Sequence, residues 1–181
     1  RELHFFDDDD AFERGFDWYA SQFEDALDGQ FVGEKTPTYC YLPKVPARIH
    51  EYLPNVKLVW ILREPVARAY SNYWHAAIRG VEHLSFKDVT KNVNRLRGNQ
   101  IWRDYLGRSR YIEQVERYLE NFELSQMKFL LFEDLIRSPA DTLSELFAFL
   151  DVSDVPGLAE QRIHSNRRKS IPRSFFVNFA T

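Results

Sequence analysis

Val56-Lys57-Leu58-Val59-Trp60-Ile61-Leu62-Arg63-Glu64-Pro65-Val66-Ala67-Arg68-Ala69-Tyr70-Ser71-Asn72-Tyr73 decides the fold class of this 181-residue chain. Its first seven residues are apolar except Lys57 and mostly β-branched or aromatic, the pattern of a strand buried on both faces. Arg63-Glu64-Pro65 then turns the chain into a helix. Pro65 suits the first helical position, where a missing N–H costs nothing and φ is already helical. Val66, Ala69, Tyr70, Tyr73 and Ala77 recur at 3- and 4-residue spacing on one face, with Glu64, Arg68, Ser71 and His75 opposite. A cation at a strand's carboxyl end, beside a free helix N-terminus, suits a phosphate.

Working outward, 127–132 reads as a second strongly apolar strand, followed by Glu133-Asp134. Helical periodicity predicts helices over 43–52, 65–79, 86–96, 111–122 and Pro139–Leu150. Upstream, 1–7 alternates as a short strand and the acidic run 7–10 caps a helix predicted over 11–27. That helix carries a stripe of Phe12, Phe16, Tyr19 and Phe23, and Asp28-Gly29 stops it. A strand is expected over 31–35, then a turn at Thr36-Pro37-Thr38-Tyr39. Strands alternating with helices predict an α/β fold with a mostly parallel sheet. Ligands in such folds bind outside the carboxyl ends of strands, where Arg63 and Lys35 stand.

An apolar fraction of 44% and an aromatic fraction of 15% argue for a packed globular chain, and the length suits one domain. With 24 basic and 27 acidic residues the net charge is −3, which favours neither nucleic acid nor an acidic membrane in bulk. The charge is uneven: residues 1–28 hold ten acidic and two basic side chains, and 162–173 hold five basic and none acidic. Cys40 is the sole cysteine, so no internal disulfide forms. With no visible signal peptide and no apolar run long enough for a membrane span, a cytoplasmic location is expected. His50, His75, His83 and His164 lack ligand-like spacing with one another or with Cys40, so no metal site is expected. Because the chain opens on Arg1 in mid-pattern, residues 1–181 are expected to be a single domain that is incomplete at its N-terminus.

Three motifs carry a family resemblance. Arg63-Glu64-Pro65-Val66-Ala67-Arg68-Ala69-Tyr70-Ser71-Asn72-Tyr73 resembles the 3′-phosphate-binding segment of sulfotransferases that use 3′-phosphoadenosine 5′-phosphosulfate (PAPS). Glu34-Lys35-Thr36-Pro37-Thr38-Tyr39 resembles a second motif of that family. Glu2-Leu3-His4-Phe5-Phe6-Asp7, with Gly15-Phe16-Asp17-Trp18-Tyr19 after it, is similar to the branch containing the heparan sulfate N- and 3-O-sulfotransferases. The resemblance implies a three-layer fold like that of P-loop NTPases, with a central sheet flanked by helices. It implies that Arg63 and Ser71 hold the 3′-phosphate of PAPS and that Glu2 is the general base. It places His4 and Asp7 beside the acceptor and Lys35 near the sulfuryl group or the acceptor. Arg167, Arg168 and Lys169 fall where the family has a C-terminal loop closing over the nucleotide. The family's Gly/Ser/Thr-rich cradle for the 5′-phosphosulfate normally precedes the Glu2 motif, and an upstream segment is expected to supply it.

These residue types suit the implied chemistry. Sulfuryl transfer needs a base for the acceptor's proton and cations for charge developing on the sulfuryl and bridging oxygens. Burial beside Phe5 and Phe6 is expected to raise the pKa of Glu2. Lysine offers a compact charge with three donors, and arginine a two-pronged grip on phosphate. The expected acceptor bears a hydroxyl or amine and is a carbohydrate or another polyhydroxylated molecule, with adenosine 3′,5′-bisphosphate (PAP) as second product. The alternative is a catalytically degenerate module that binds PAP. A nucleotide kinase would need a Gly-x-x-x-x-Gly-Lys loop, which the sequence does not contain.

Overall fold

The computed structural model describes residues 2–27, 29–91, 103–153 and 158. Along them run α1 (Asp9–Phe12), α2 (Phe16–Ser21), α3 (Val45–Tyr52), β1 (Leu58–Leu62), α4 (Pro65–Ile78), α5 (Phe86–Lys91), α6 (Tyr111–Leu119), β2 (Met127–Leu131), α7 (Phe132–Arg137) and α8 (Pro139–Leu150). The chain forms two compact units, Arg1–Leu58 with Tyr111–Met127, and Val59–Arg110 with Lys128–Thr181.

The first unit is organised around aromatic rings. Phe5 is fully buried, with ring centroids 4.7 Å from Tyr19, 4.9 Å from Phe6 and 5.4 Å from Phe12. Phe16 stacks on Tyr52 of α3 at 5.0 Å. Such pairs add about 0.5–1.5 kcal/mol each beyond the area they bury. The stripe Phe12, Phe16, Tyr19, Phe23 thus faces inward, yet the single helix expected over 11–27 is broken. α1 is capped by Asp8, whose carboxylate accepts from the Ala11 amide at 2.8 Å, with Asp9 and Asp10 in its first turn. Gly15 then takes φ 82, a left-handed turn that restarts the chain as α2. Of the strand expected over 1–7, the described residues 2–7 form none: residues 5–7 form a turn, and His4 sits at φ 55. Residues 31–35 form no strand either. An alternating or apolar stretch becomes a strand only where a neighbour accepts its ladder, which periodicity cannot report. From α6, Tyr118 donates to the Tyr39 carbonyl (3.0 Å) and Arg117 to the Tyr41 carbonyl (2.8 Å), tying the 36–41 turn to the unit.

The second unit carries the sheet. β1 and β2, neighbours in a parallel sheet, belong to it except for their first residues. Trp60 and Leu130 are buried, but Val59 is 40% exposed, Ile61 55% and Leu131 52%. The expectation of burial on both faces is therefore corrected. Continuous apolarity permits a layer on each side, and only the tertiary arrangement says which side receives one. α4 buries Ala69, Tyr73, Ala76 and Ala77 against Val89 and Tyr105. Val66 and Tyr70, assigned inward from the spacing, are exposed, so the buried arc is rotated toward Ala76. At the turn before α5, Glu82 is buried and accepts from the His83 and Leu84 amides at 3.1 Å and from the Tyr105 hydroxyl at 3.2 Å. Burial, then the Glu82 charge, pushes the Tyr105 phenol up to about 12. Glu133-Asp134 lies in the first turn of α7, a helix that periodicity does not predict, and α8 is capped by Asp151 at φ 62. Among the described residues no helix is long and apolar enough to cross a membrane.

Candidate active site

Four of the expected site residues come together in the first unit. Lys35 Nζ lies 2.9 Å from Glu2 Oε1, and His4 Nε2 lies 3.7 Å from Glu2 Oε2. The other ring nitrogen of His4, Nδ1, contacts the Asp7 carboxylate at 3.0 Å. Asp7, its side chain 6% exposed, also accepts from the Thr38 hydroxyl. The left-handed φ of His4 turns the backbone so that Glu2 and Asp7 flank its ring, at a cost of about 1–2 kcal/mol. Donation from Nδ1 to Asp7 leaves Nε2 facing Glu2, an assignment that follows from the geometry. The result is a continuous polar chain, Lys35–Glu2–His4–Asp7–Thr38. Glu2, Gly33, Glu34 and Lys35 line an open cleft of about 460 Å³.

The electrostatics differ from the sequence expectation in one respect. Glu2 stays exposed, and its pKa is lowered, chiefly by the hydrogen bond from Lys35. Phe5 and Phe6 do not raise it, because both rings point into the core. Glu2 is thus a carboxylate across the neutral range.

Glu34, quoted in its motif but given no role from sequence, holds this arrangement in place. Its Oε1 accepts from the Leu3 amide (3.2 Å), the Thr36 hydroxyl (2.8 Å) and the Tyr39 hydroxyl (2.8 Å), and its Oε2 from the Tyr19 hydroxyl (3.1 Å). One carboxylate therefore ties the residue next to Glu2 to the segment bearing Lys35. Burial first, and Glu34 second, raise the Tyr19 phenol; burial is also the main cause for Tyr39. The readable signal was a carboxylate beside Lys35 in a stretch with few cations and several tyrosines.

Arg63 and Ser71 belong to the second unit. Arg63 follows β1 directly and its guanidinium lies 5.4 Å from the Phe132 ring centroid; Ser71 is exposed on α4. The helix N-terminus beside Arg63 is not free. Glu64 is the N-cap and its carboxylate accepts from Val66 N (2.9 Å) and Ala67 N (2.6 Å), which lowers its pKa. Ser71 is seven residues beyond this cap, about 10 Å along the axis on the same face. Arg68 is engaged elsewhere, donating to the Ser109 hydroxyl and the Tyr105 carbonyl, each at 2.7 Å. Arg167, Arg168 and Lys169 lie outside the described residues. Among the described residues no group of three or more His, Cys, Asp or Glu could hold a metal.

Residues 4–156 match the model of the sulfotransferase family. Human heparan sulfate glucosamine 3-O-sulfotransferase 3B1 is 31% identical over 173 residues, covering 94% of this chain and 43% of that protein. Human heparan sulfate glucosamine 3-O-sulfotransferase 6 is 31% identical over 171 residues, covering 94% of this chain and 48% of that protein. The chain thus spans less than half the length of these relatives. The crystal structure of a sulfotransferase from Alicyclobacillus acidocaldarius superposes with a TM-score of 0.72 at 30% identity, over 84% of this chain and 69% of that one. The sulfotransferase domain from the curacin biosynthetic pathway shares the fold, with a TM-score of 0.56 at 19% identity over 77% of this chain and 45% of that one. With the motif order, the α/β architecture and the family match in agreement, the chain belongs to the sulfotransferase family.

Proposed function

We propose that this protein transfers a sulfuryl group from PAPS to a hydroxyl or amine of a carbohydrate or similar polyhydroxylated acceptor. The observation that carries the reading is the Glu2–Lys35 pair, 2.9 Å apart in an open cleft. The acceptor oxygen or nitrogen attacks sulfur in line, and its proton passes to the Glu2 carboxylate. The bond from sulfur to the bridging oxygen breaks, and PAP leaves with that electron pair. Lys35 neutralises charge on the sulfuryl and bridging oxygens. When Lys35 turns toward those oxygens, Glu2 loses its main stabilising hydrogen bond and binds a proton more readily. Donor and base are thereby coupled. His4, oriented by Asp7, positions Glu2 and the acceptor; Arg63 and Ser71 hold the 3′-phosphate along α4, with Arg167, Arg168 and Lys169 as further cations for the nucleotide.

The direct test is transfer of labelled sulfate from PAPS by the full-length protein across a panel of hydroxyl and amine acceptors; no transfer to any of them sinks the reading. Two variants probe its parts. Lys35→Ala removes the cause of the low Glu2 pKa, so the acid limb of the kcat/KM profile should move to higher pH. The sign follows from Glu2 being needed ionised: a lowered pKa keeps it so at lower pH. Turnover should also fall by about 10²–10³, and an unmoved acid limb would remove Glu2 from the base role. Arg63→Ala should weaken PAP binding by about 1.5–3 kcal/mol, the loss of a charged hydrogen bond. Calorimetry reading wild-type affinity would place the 3′-phosphate elsewhere.

A further inference from the structure

The unit holding Glu2, His4, Asp7 and Lys35 is strongly acidic. Over Arg1–Leu58 and Tyr111–Met127 the sequence has seven Lys or Arg against sixteen Asp or Glu, a net charge of −9. The rest of the chain has seventeen against eleven, +6.

The described cations of this unit are already engaged. Lys35 pairs with Glu2; Lys44 and Arg48 both pair with Asp9, at 2.6 and 2.5 Å. Arg14 lies over the Trp18 ring at 4.8 Å, Arg117 donates to the Tyr41 carbonyl, and Lys57 has a partner too. The acids Asp10, Glu13, Asp17, Glu24, Asp25 and Glu51 stand exposed.

Binding a polyanion works by the opposite arrangement, in which solvent-facing Lys and Arg meet its charges and release counterions. Here each described cation of the unit would first have to leave its present partner, against the field of the whole unit. We infer that the acceptor presented to Glu2 carries no anionic groups: it is a neutral polyhydroxylated molecule, not a sulfated or carboxylated glycan. The inference rests on Glu2 being the base of the proposed transfer. It separates this protein by acceptor chemistry from relatives named for heparan sulfate.

The test places glycans in the labelled-sulfate assay as matched pairs, one member sulfated and the other desulfated and carboxyl-reduced, alongside neutral polyols. The best acceptor should be uncharged. Within a pair, kcat/KM should favour the neutral member by about tenfold at 0.01 M salt, where the Debye length is about 30 Å, and the preference should narrow but persist at 0.15 M, where it is about 8 Å. A polyanion that is the best acceptor, and that loses kcat/KM as salt rises, overturns the inference and leaves the transfer reading intact. Absence of transfer to every acceptor overturns both. The combined variant Glu13→Lys, Glu24→Lys, Asp25→Lys lies outside the catalytic chain and brings the unit from −9 to −3. At low salt it should raise kcat/KM severalfold for the sulfated member and leave the neutral member unchanged. An unchanged value for the sulfated member counts against the inference.

Discussion

Glu2→Gln is expected to lower turnover by about 10²–10⁴, the range that a positioned proton acceptor supplies. The amide matches the carboxylate in shape and can still accept from Lys35, but it cannot take the acceptor's proton. PAP affinity should stay near the wild-type value, because the residues assigned to the 3′-phosphate, Arg63 and Ser71, lie in a different unit. Melting should hardly change, since Glu2 and Lys35 form an exposed pair, a kind that adds little to stability. This separation is the point of the experiment: a residue that merely caps a frayed end would leave turnover alone. Glu2→Asp keeps the base but shortens its reach, and should recover part of the rate. Should Glu2→Gln turn over PAPS and acceptor like the wild type, the base lies elsewhere and Glu2 is only Lys35's partner.

Glu34→Ala is expected to destabilise the protein by about 3–5 kcal/mol, among the largest effects of a single substitution. Four donors lose their acceptor together: the Leu3 amide and the hydroxyls of Tyr19, Thr36 and Tyr39. Tyr19 and Thr36 are buried, so water does not readily replace the carboxylate. For a chain of this length the corresponding drop in Tm is roughly 6–20 °C, measurable by circular dichroism. Glu34→Gln keeps one oxygen but turns an NH₂ toward donors, so it should fall between wild type and alanine. In the folded fraction of either variant turnover should be reduced as well, because the Leu3 tether that fixes Glu2 against Lys35 is weakened. A melting temperature within a degree or two of wild type would show that the four hydrogen bonds are replaceable.

Two of the helices that survived from sequence to structure carry a local start signal. α4 begins at Pro65 and α8 at Pro139, each at the first helical position, where proline's fixed φ favours the helix. β1 and β2 were legible because a run of large apolar side chains has few other stable placements. The misreadings share a cause. Gly15 broke a helix that the Phe12, Phe16, Tyr19, Phe23 stripe supported, since a stripe records which side chains turn inward and not whether the backbone is continuous between them. The patterns of 1–7 and 31–35 suit strands, yet among the described residues neither stretch joins the sheet. α7 went unseen because six residues show less than two turns of periodicity.

The candidate site divides along the same line. Sequence by itself determined the residue types: the Glu2–His4–Asp7 motif, Lys35 in the second motif, and Arg63 before α4 with Ser71 two turns into it, since motif identity and short spacing are local properties. Tertiary structure alone decided their electrical state and support. It set Lys35 against Glu2 across a sequence gap of 33 residues and so lowered a pKa expected to rise. It closed the α4 N-terminus with the Glu64 carboxylate. It also made Glu34 the fastening between two segments that are remote in sequence. Charge state and hydrogen-bond partnership depend on distances through space, and chain order does not encode those until the core around Phe5 has formed.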